Sequence, residues 1–171
     1  MLKILIAVDG SALALDAIHH ALELVDNGLD ASVVLANVQE PASLYELVVS
    51  RDPQRIAQAS EAAGEFLMAS ARALLDEAHV PYEAVVGVGD PAHTLVDMIE
   101  SLQCHLAILG ARGQGAISSA LLGSVSQAVA HASPVPVTIV RHAPESIDAQ
   151  EALSASASDG AADVLESFRG T

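Results

Sequence analysis

The sequence has few aromatic residues and few basic ones. Its 171 residues include two Tyr, two Phe and no Trp, and 7 Lys and Arg stand against 22 Asp and Glu, which gives a formal charge of −15. Proteins that bind nucleic acids or anionic membrane surfaces normally present a basic face, and single-strand binders add aromatic rings that stack on the bases. The composition therefore argues against a nucleic-acid partner and against a membrane partner.

Cysteine and long apolar runs are also scarce. The single Cys104 has no partner for an internal disulfide and is expected to be a small buried hydrophobe. The apolar opening from Leu2 to Val8 is interrupted by Lys3 and is too short for a membrane span or an export signal. Residues 113–140 carry no charged side chain other than histidine, but glycines and prolines interrupt them. We therefore expect a cytoplasmic protein.

Aliphatic residues are abundant, and they follow an alternating pattern. Hydrophobic residues make up 51% of the chain, which excludes a disordered acidic protein. The predicted strands are Leu2–Val8, Ser32–Val38, Val80–Val88, Cys104–Leu109 and Val135–Arg141. The predicted helices run from Ser11 to Asn27, from Pro53 to about Ala78, from Pro91 to about Gln103, and from Ser119 or Ser124 to Ala132. This alternation predicts an α/β fold with a doubly wound, five-stranded parallel sheet and helices on both faces.

Local signals mark the helix ends and one helix face. Ser11 and Asp90 are suited to cap the first and third helices, and Pro91 suits a first helical position. Asn27 with Gly28 provides an end for the first helix. In the long Ala-rich helix, the period predicts one apolar stripe consisting of Ile56, Ala59, Ala63, Phe66 with Leu67, Ser70 and Leu74.

Two segments differ from this pattern. Residues 143–171 are rich in Ala and Ser, and Arg169 is their one basic residue against six carboxylates. We expect a mobile acidic tail there, following a single domain over residues 1–142. The irregular stretch from Gln39 to Asp52 contains several apolar residues, and it is a candidate for either a lid or an interface.

Two loops have the chemistry of a phosphate site. In doubly wound sheets, ligands bind beyond the carboxyl ends of the strands. There the first strand leads into Asp9-Gly10-Ser11, and the fourth leads into a glycine-containing loop, Gly110 to Leu122, followed by Gly123-Ser124-Val125-Ser126. Glycines let the backbone approach an anion, and a helix start adds free N–H groups and hydroxyls. Glycine-rich turns also occur simply to reverse a chain.

The spacing Gly110-x2-Gly113-x9-Gly123-Ser124 resembles the nucleotide-binding signature of the universal stress protein family in its ATP-binding branch. The resemblance extends over Ile4–Ser11, Ala36–Val38, Leu122–Ser126 and Val135–Val137, and it covers roughly residues 1–142. It implies strand order 3-2-1-4-5, in which the first and fourth strands are neighbours and Asp9 lies beside Gly110.

The resemblance also implies a role for each matching residue. Asp9 would interact with the ribose side of the nucleotide, and Arg112 could either reach a phosphate or point to water. On the side of the base and sugar, Ala7 and Val8 would lie at the lip of the site, the main chain of Val38 would meet the adenine, and Leu109 and Gly110 would line the ribose. On the phosphate side, the amides of Gly113 and Gly123 would bind phosphates, and Ser124, Val125 and Ser126 would complete the phosphate site. The implied ligand is ATP, or ADP or AMP, with or without Mg²⁺.

No arrangement of residues resembles a catalytic triad, a pair of catalytic carboxylates or a metal-binding set of histidines. The leading hypothesis is therefore a regulatory protein that binds ATP and hydrolyses it slowly or not at all. The alternatives are an interaction module that needs no nucleotide, and a slow ATPase or autophosphorylating protein. The resemblance further implies a homodimer joined through Val135–Val140, an apolar edge strand, beside an unidentified protein partner.

Overall fold

The computed structural model describes residues 1–41, 53–111, 113 and 122–141. The elements in this part of the chain are β1 (Leu2–Ala7), α1 (Ala12–Asp26), β2 (Ala31–Gln39), α2 (Pro53–Glu77), β3 (Tyr82–Val88), α3 (Pro91–Ser101), β4 (Leu106–Gly110), α4 (Ser124–Ala132) and β5 (Val137–Val140). The predicted alternation of strands and helices is confirmed, and the last helix begins at the later of its two candidate starts. The predicted tail and most of the candidate lid lie outside the described residues.

The five strands form one parallel sheet with the order β3-β2-β1-β4-β5. β1 is the central strand, and its last residue, Ala7, lies opposite Ala36 of β2 and Leu109 of β4. This confirms the doubly wound α/β fold and the strand order. After β3 the chain crosses to the other side of β1, where β4 and β5 are added, so the carboxyl ends of β1 and β4 form the crevice where such folds bind ligands.

The two faces of the sheet are covered by different helices. On one face Ile4 and Ile6 of β1 belong to the same buried cluster as residues of α1 and α2, including Ile18 and Met68. On the other face Leu5 is buried in a cluster with residues of α3 and α4. The apolar segment Ile4–Ile6 of β1 follows from this burial on both sides, because neither face has room for an unpaired polar group there.

The helix caps follow the sequence signals. The Ser11 hydroxyl accepts a hydrogen bond from the Ala14 N–H at 3.2 Å at the start of α1. The Asp90 carboxylate accepts one from the His93 N–H at 2.9 Å at the start of α3, and this bond lowers the pKa of Asp90. Gly28 follows the last turn of α1 with a φ of 99°, a conformation in which glycine is favoured.

Three strands begin two residues later than the sequence predicts. β5 begins at Val137 instead of Val135. β3 and β4 begin late because the residues before them close the preceding helices. His79 and Gln103 adopt left-handed φ values of 56° and 54°. The residues that follow them then donate backwards, Val80 N–H to the Leu75 carbonyl at 3.0 Å and Cys104 N–H to the Ile99 carbonyl at 2.9 Å. β3 and β4 therefore begin at Tyr82 and Leu106. Cys104 is buried as expected, and burial raises its pKa.

The predicted apolar stripe of α2 is wrong for four of its seven members, whereas Ile56, Leu67 and Leu74 are half-buried. The helix turns Gly64, Met68, Ala71 and Leu75 toward the sheet, whereas Phe66 is 80% exposed. Ala59, Ala63 and Ser70 are exposed as well. The reason is that alanine occurs on every side of this helix, so periodicity alone does not distinguish its packed face from its solvent face.

The close approach of α2 to the sheet depends on Gly64. A Cβ atom at this position would lie 2.7 Å from both Cγ atoms of Val86 and 3.0 Å from the Asn37 Oδ1 atom. Rotation of Val86 about χ1 does not relieve both contacts, because its two methyl groups lie equally close. The glycine therefore sets the distance between α2 and the sheet.

We expect Gly64→Ala to lower the free energy of unfolding by about 1 kcal/mol, because the overpacking cost exceeds the gain in helix propensity. In a Val86→Ala background the same substitution is expected to cost less, since the two Val86 methyl groups are gone and the remaining contact is the one with the Asn37 Oδ1 atom. Urea denaturation of the two single variants and the double variant measures this coupling. A stabilising Gly64→Ala in the otherwise unchanged protein would contradict the packing argument.

Candidate functional site

The chain leaves β1 in a fixed turn that holds the side chain of Asp9. Its Oδ1 atom accepts hydrogen bonds from the Ser11 N–H at 3.0 Å and from the Ser11 hydroxyl at 2.6 Å. Gly10 between them has a φ of 81°, which an L side chain rarely adopts. Because Ser11 also caps α1, the carboxylate of Asp9 is anchored to the first turn of that helix.

The other oxygen of Asp9 lies against the backbone of the glycine loop. A Cβ atom on Gly113 would overlap the Oδ2 atom of Asp9. Gly113 itself is exposed, whereas Asp9 is half-buried. The approach is possible because β1 and β4 are adjacent, so the residues that follow them emerge side by side. The structure thus brings together the two elements that the sequence singled out, and it explains the need for glycine at position 113.

The end of β4 is tied to the start of α4 by two hydrogen bonds. The buried Ser126 hydroxyl donates to the Gly110 carbonyl at 2.8 Å, and the Gly123 N–H donates to the Ala111 carbonyl, also at 2.8 Å. The sequence-based roles for Ser126 and Gly123 had this hydroxyl and this amide facing a phosphate. In the structure both protons are used within the protein, where they hold the two ends of the loop together.

The first turn of α4 presents backbone donors at the same edge. Gly123 precedes the helix in an extended conformation and makes no side-chain cap, and the first helical bond runs from the Gln127 N–H to the Gly123 carbonyl at 2.9 Å. The N–H groups of Ser124, Val125 and Ser126 therefore have no acceptor within the helix. Together with the helix dipole, such groups favour an anion.

A buried polar residue, Asn37, joins the ends of β1 and β2. It is 2% exposed, and its Nδ2 atom donates to the Val8 carbonyl at 2.8 Å. Its Oδ1 atom accepts from the Gln39 Nε2 atom at 2.6 Å. The Val8 N–H also donates to the Ala36 carbonyl at 2.9 Å, so both polar groups of Val8 are used by β2. Sequence reasoning assigned Asn37 no role, although an amide in an apolar strand signals a partner that must be satisfied.

The remaining predicted site residues lie at the carboxyl edge of the sheet. Leu109 is buried beside Ala7, and Val38 at the end of β2 lies opposite Gly87 of β3. Val125 packs partly against the cluster that α3 and α4 form with the sheet. Arg112 and residues 114–121 lie outside the described residues, so a role for Arg112 stays a prediction.

The described residues contain neither a metal-binding cluster nor a membrane-spanning helix. No three side chains of His, Cys, Asp or Glu within the described ranges lie close enough together to hold a metal ion. No helix in the described part of the chain is long and apolar enough to cross a bilayer.

The comparison with known sequences gives one family. The model of the universal stress protein family matches residues 1–141. Among curated relatives, the universal stress protein YxiE of Bacillus subtilis is 29% identical over 149 residues, an alignment that covers 81% of this chain and 98% of YxiE.

Solved structures share the fold. A universal stress protein family protein from Arabidopsis thaliana with AMP bound has a TM-score of 0.62 and 22% identity, covering 85% of this chain and 94% of that one. A universal stress protein in complex with cAMP has a TM-score of 0.57 and 23% identity, covering 82% and 96%. At these identities the likeness establishes the arrangement of strands and helices only.

The hydrogen bonds of Asn37 predict a large cost for its removal. Asn37→Ala leaves the Val8 carbonyl without its side-chain donor in a buried place, which should lower the free energy of unfolding by about 2 kcal/mol. Gln39→Ala removes only the hydrogen bond from the Gln39 Nε2 atom to the Asn37 Oδ1 atom. It should lower the free energy of unfolding by less than about 1 kcal/mol. Urea denaturation compares the two variants, and equal costs would contradict the central position of Asn37.

Proposed function

Because the chain belongs to the universal stress protein family, we propose that it is a regulatory protein that binds an adenine nucleotide, with ATP as the leading ligand and ADP or AMP as its shorter forms. The observation that carries the proposal is the contact between the Asp9 carboxylate and the Gly113 backbone. This contact lies at the carboxyl ends of β1 and β4, the neighbouring strands between which the strand order reverses. It also lies beside the start of α4, which has no side-chain cap.

The geometry supports a defined orientation for the nucleotide. The phosphates belong at the backbone N–H groups of Ser124 and Val125, which have no helical acceptor. The ribose hydroxyls belong at Asp9, whose carboxylate accepts hydrogen bonds and is already positioned by Ser11. The adenine belongs near the main chain of Val38, against aliphatic walls, since the chain has few aromatic residues with which to stack.

The two solved neighbours named above support the class of ligand. AMP and cAMP share the adenine, the ribose and one phosphate with ATP. The step to ATP, with or without Mg²⁺, rests on the spacing of Gly110, Gly113 and Gly123 and on the length of the loop between them. Ser126 and Gly123 then act indirectly, because their protons hold the loop ends rather than a phosphate.

Binding rather than turnover suits the side chains at this edge. Among the described site residues Asp9 carries the one carboxylate, whose Oδ1 atom accepts two hydrogen bonds from Ser11 and whose Oδ2 atom lies beside the Gly113 backbone. In the proposed orientation this carboxylate lies at the ribose and not at the terminal phosphate, where a general base would have to be within hydrogen-bond reach of the attacking water. The proposed output is a nucleotide-dependent choice of protein partner.

Calorimetric titration with ATP, ADP, AMP, cAMP and GTP, each with and without Mg²⁺, tests the proposal. We expect saturable binding of the adenine nucleotides and a dissociation constant raised at least about tenfold by Asp9→Ala, because a charged acceptor for the ribose is lost. The matched control is Asp30→Ala, whose carboxylate lies at the opposite edge of the sheet and pairs with the amino terminus at 3.1 Å. This control should bind as the unchanged protein does.

Absence of heat and of a thermal shift at millimolar ATP would overturn the nucleotide proposal and favour a nucleotide-independent module. Equal loss of affinity in Asp9→Ala and Asp30→Ala would move the site away from Asp9. Incubation with γ-labelled ATP separates binding from reaction, since released phosphate or labelled protein at turnover rates would identify an enzyme instead.

We also propose a homodimer joined through the edge formed by β5. In the described sheet this strand pairs with β4 alone, and an unpaired apolar edge invites pairing with a second chain. Light scattering at micromolar concentration should give twice the mass of one chain. Thr138→Lys should weaken the dimer by placing a charge on the edge strand, whereas Thr138→Val should preserve it. A monomer mass for the unchanged protein would contradict this assembly.

A further inference from the structure

The outer face of α2 is an exposed and largely uncharged stripe. Phe66 lies at its centre, and residues three, four, seven and eleven positions away on either side share this face of the helix. The members are Arg55, Ala59, Ala62, Ala63, Phe66, Ala69, Ser70, Ala73 and Glu77, and all of them are exposed. We call this set the Phe66 stripe.

Phe66 is an unusual surface residue for this protein. It is one of only four aromatic residues in the chain, and it is 80% exposed. The opposite side of the helix is fully engaged with the sheet through Gly64, Met68 and Leu75, so Phe66 is on the outside because of the fixed packing of α2. An exposed apolar patch of this kind on a soluble protein marks an interaction surface.

We propose that the Phe66 stripe is a self-association surface that pairs with the same stripe of a second copy, with the two α2 helices antiparallel. The charges favour this occupant. Arg55 and Glu77 are each eleven residues from Phe66, at opposite ends of the stripe, and the seven residues between them on this face carry no charge. Antiparallel pairing about Phe66 places Arg55 of each copy beside Glu77 of the other.

The two-fold arrangement also matches the sizes of the side chains. Phe66 meets its own counterpart at the axis, and Ala59 lies opposite Ala73 of the partner on both sides of it. Alanines at these positions allow the helices to approach at about 8–10 Å, the normal separation of packed helices. A parallel pair would instead bring Arg55 beside Arg55 and Glu77 beside Glu77. The like charges therefore disfavour it.

The area of the stripe predicts a weak, concentration-dependent contact. From Arg55 to Glu77 the helix is about 33 Å long, and a face roughly 10 Å wide would bury about 650 Å² in total between two copies. This is below the roughly 1,200 Å² of stable protein interfaces. α2 packs near β2 and β3, away from the edge formed by β5, so the two surfaces are separate and the stripe would join dimers or single chains into larger species.

Charge reversal in the full chain tests the pairing. Sedimentation equilibrium up to millimolar concentration should show self-association whose dissociation constant rises about tenfold or more in Phe66→Glu. The matched control is Gln58→Glu, which adds the same charge on the same helix outside the stripe. This control should change the dissociation constant of self-association little. Arg55→Glu and Glu77→Arg should each weaken association, and the double variant should restore it.

Cross-linking tests the antiparallel geometry in a Cys104→Ser background. When Ala59→Cys and Ala73→Cys chains are mixed and oxidised, disulfides between unlike chains should exceed those between like chains. An excess of 59–59 and 73–73 links would overturn the antiparallel pairing. No association at millimolar concentration, or weakening by single charge reversals without rescue in the double variant, would overturn the proposal and point to another occupant, such as residues 142–171 or a different protein.

Discussion

The parallel pairing of β1 with β2 on one side and β4 on the other is the constraint on which this molecule depends. It buries β1 on both faces, and it makes two segments far apart in sequence end side by side at one edge. Asp9 and Gly113 meet because Ala7 lies opposite Leu109, and Asn37 reaches the Val8 carbonyl because Ala7 also lies opposite Ala36. The candidate site is thus a consequence of strand order.

Much of the fold could be predicted because its signals are local. A strand segment buried on both faces must be apolar, as Ile4–Ile6 is, and capping by Ser11 or Asp90 needs only three neighbouring residues. Element ends were less predictable where a left-handed residue closes the preceding helix, as His79 and Gln103 do. The sequence does not show that such a residue will take that conformation, because tertiary packing decides it.

The residues of the candidate site could be predicted from the sequence, but their hydrogen-bond partners could not. The spacing of the glycines marked the loop, and burial of β1 and β4 marked where it would lie. The sequence could not reveal that the Ser126 hydroxyl donates a hydrogen bond to the Gly110 carbonyl. Nor could it reveal that the Gly123 N–H donates to the Ala111 carbonyl. A hydroxyl beside a helix start serves equally to bind a phosphate or to hold a loop, and only the position of the nearest carbonyl distinguishes the two.

The alanines of helix α2 affect two surfaces, the face that packs on the sheet and the face that is exposed. Alanine gives helix propensity without specifying a face, so the inward face is defined by Gly64, where a missing side chain lets the helix approach Val86. That approach fixes the rotation of the helix and turns Phe66 outward. The same small residues then leave an outer face on which a second helix could pack closely. The exposure of Phe66 therefore follows from the packing that anchors α2 to the sheet.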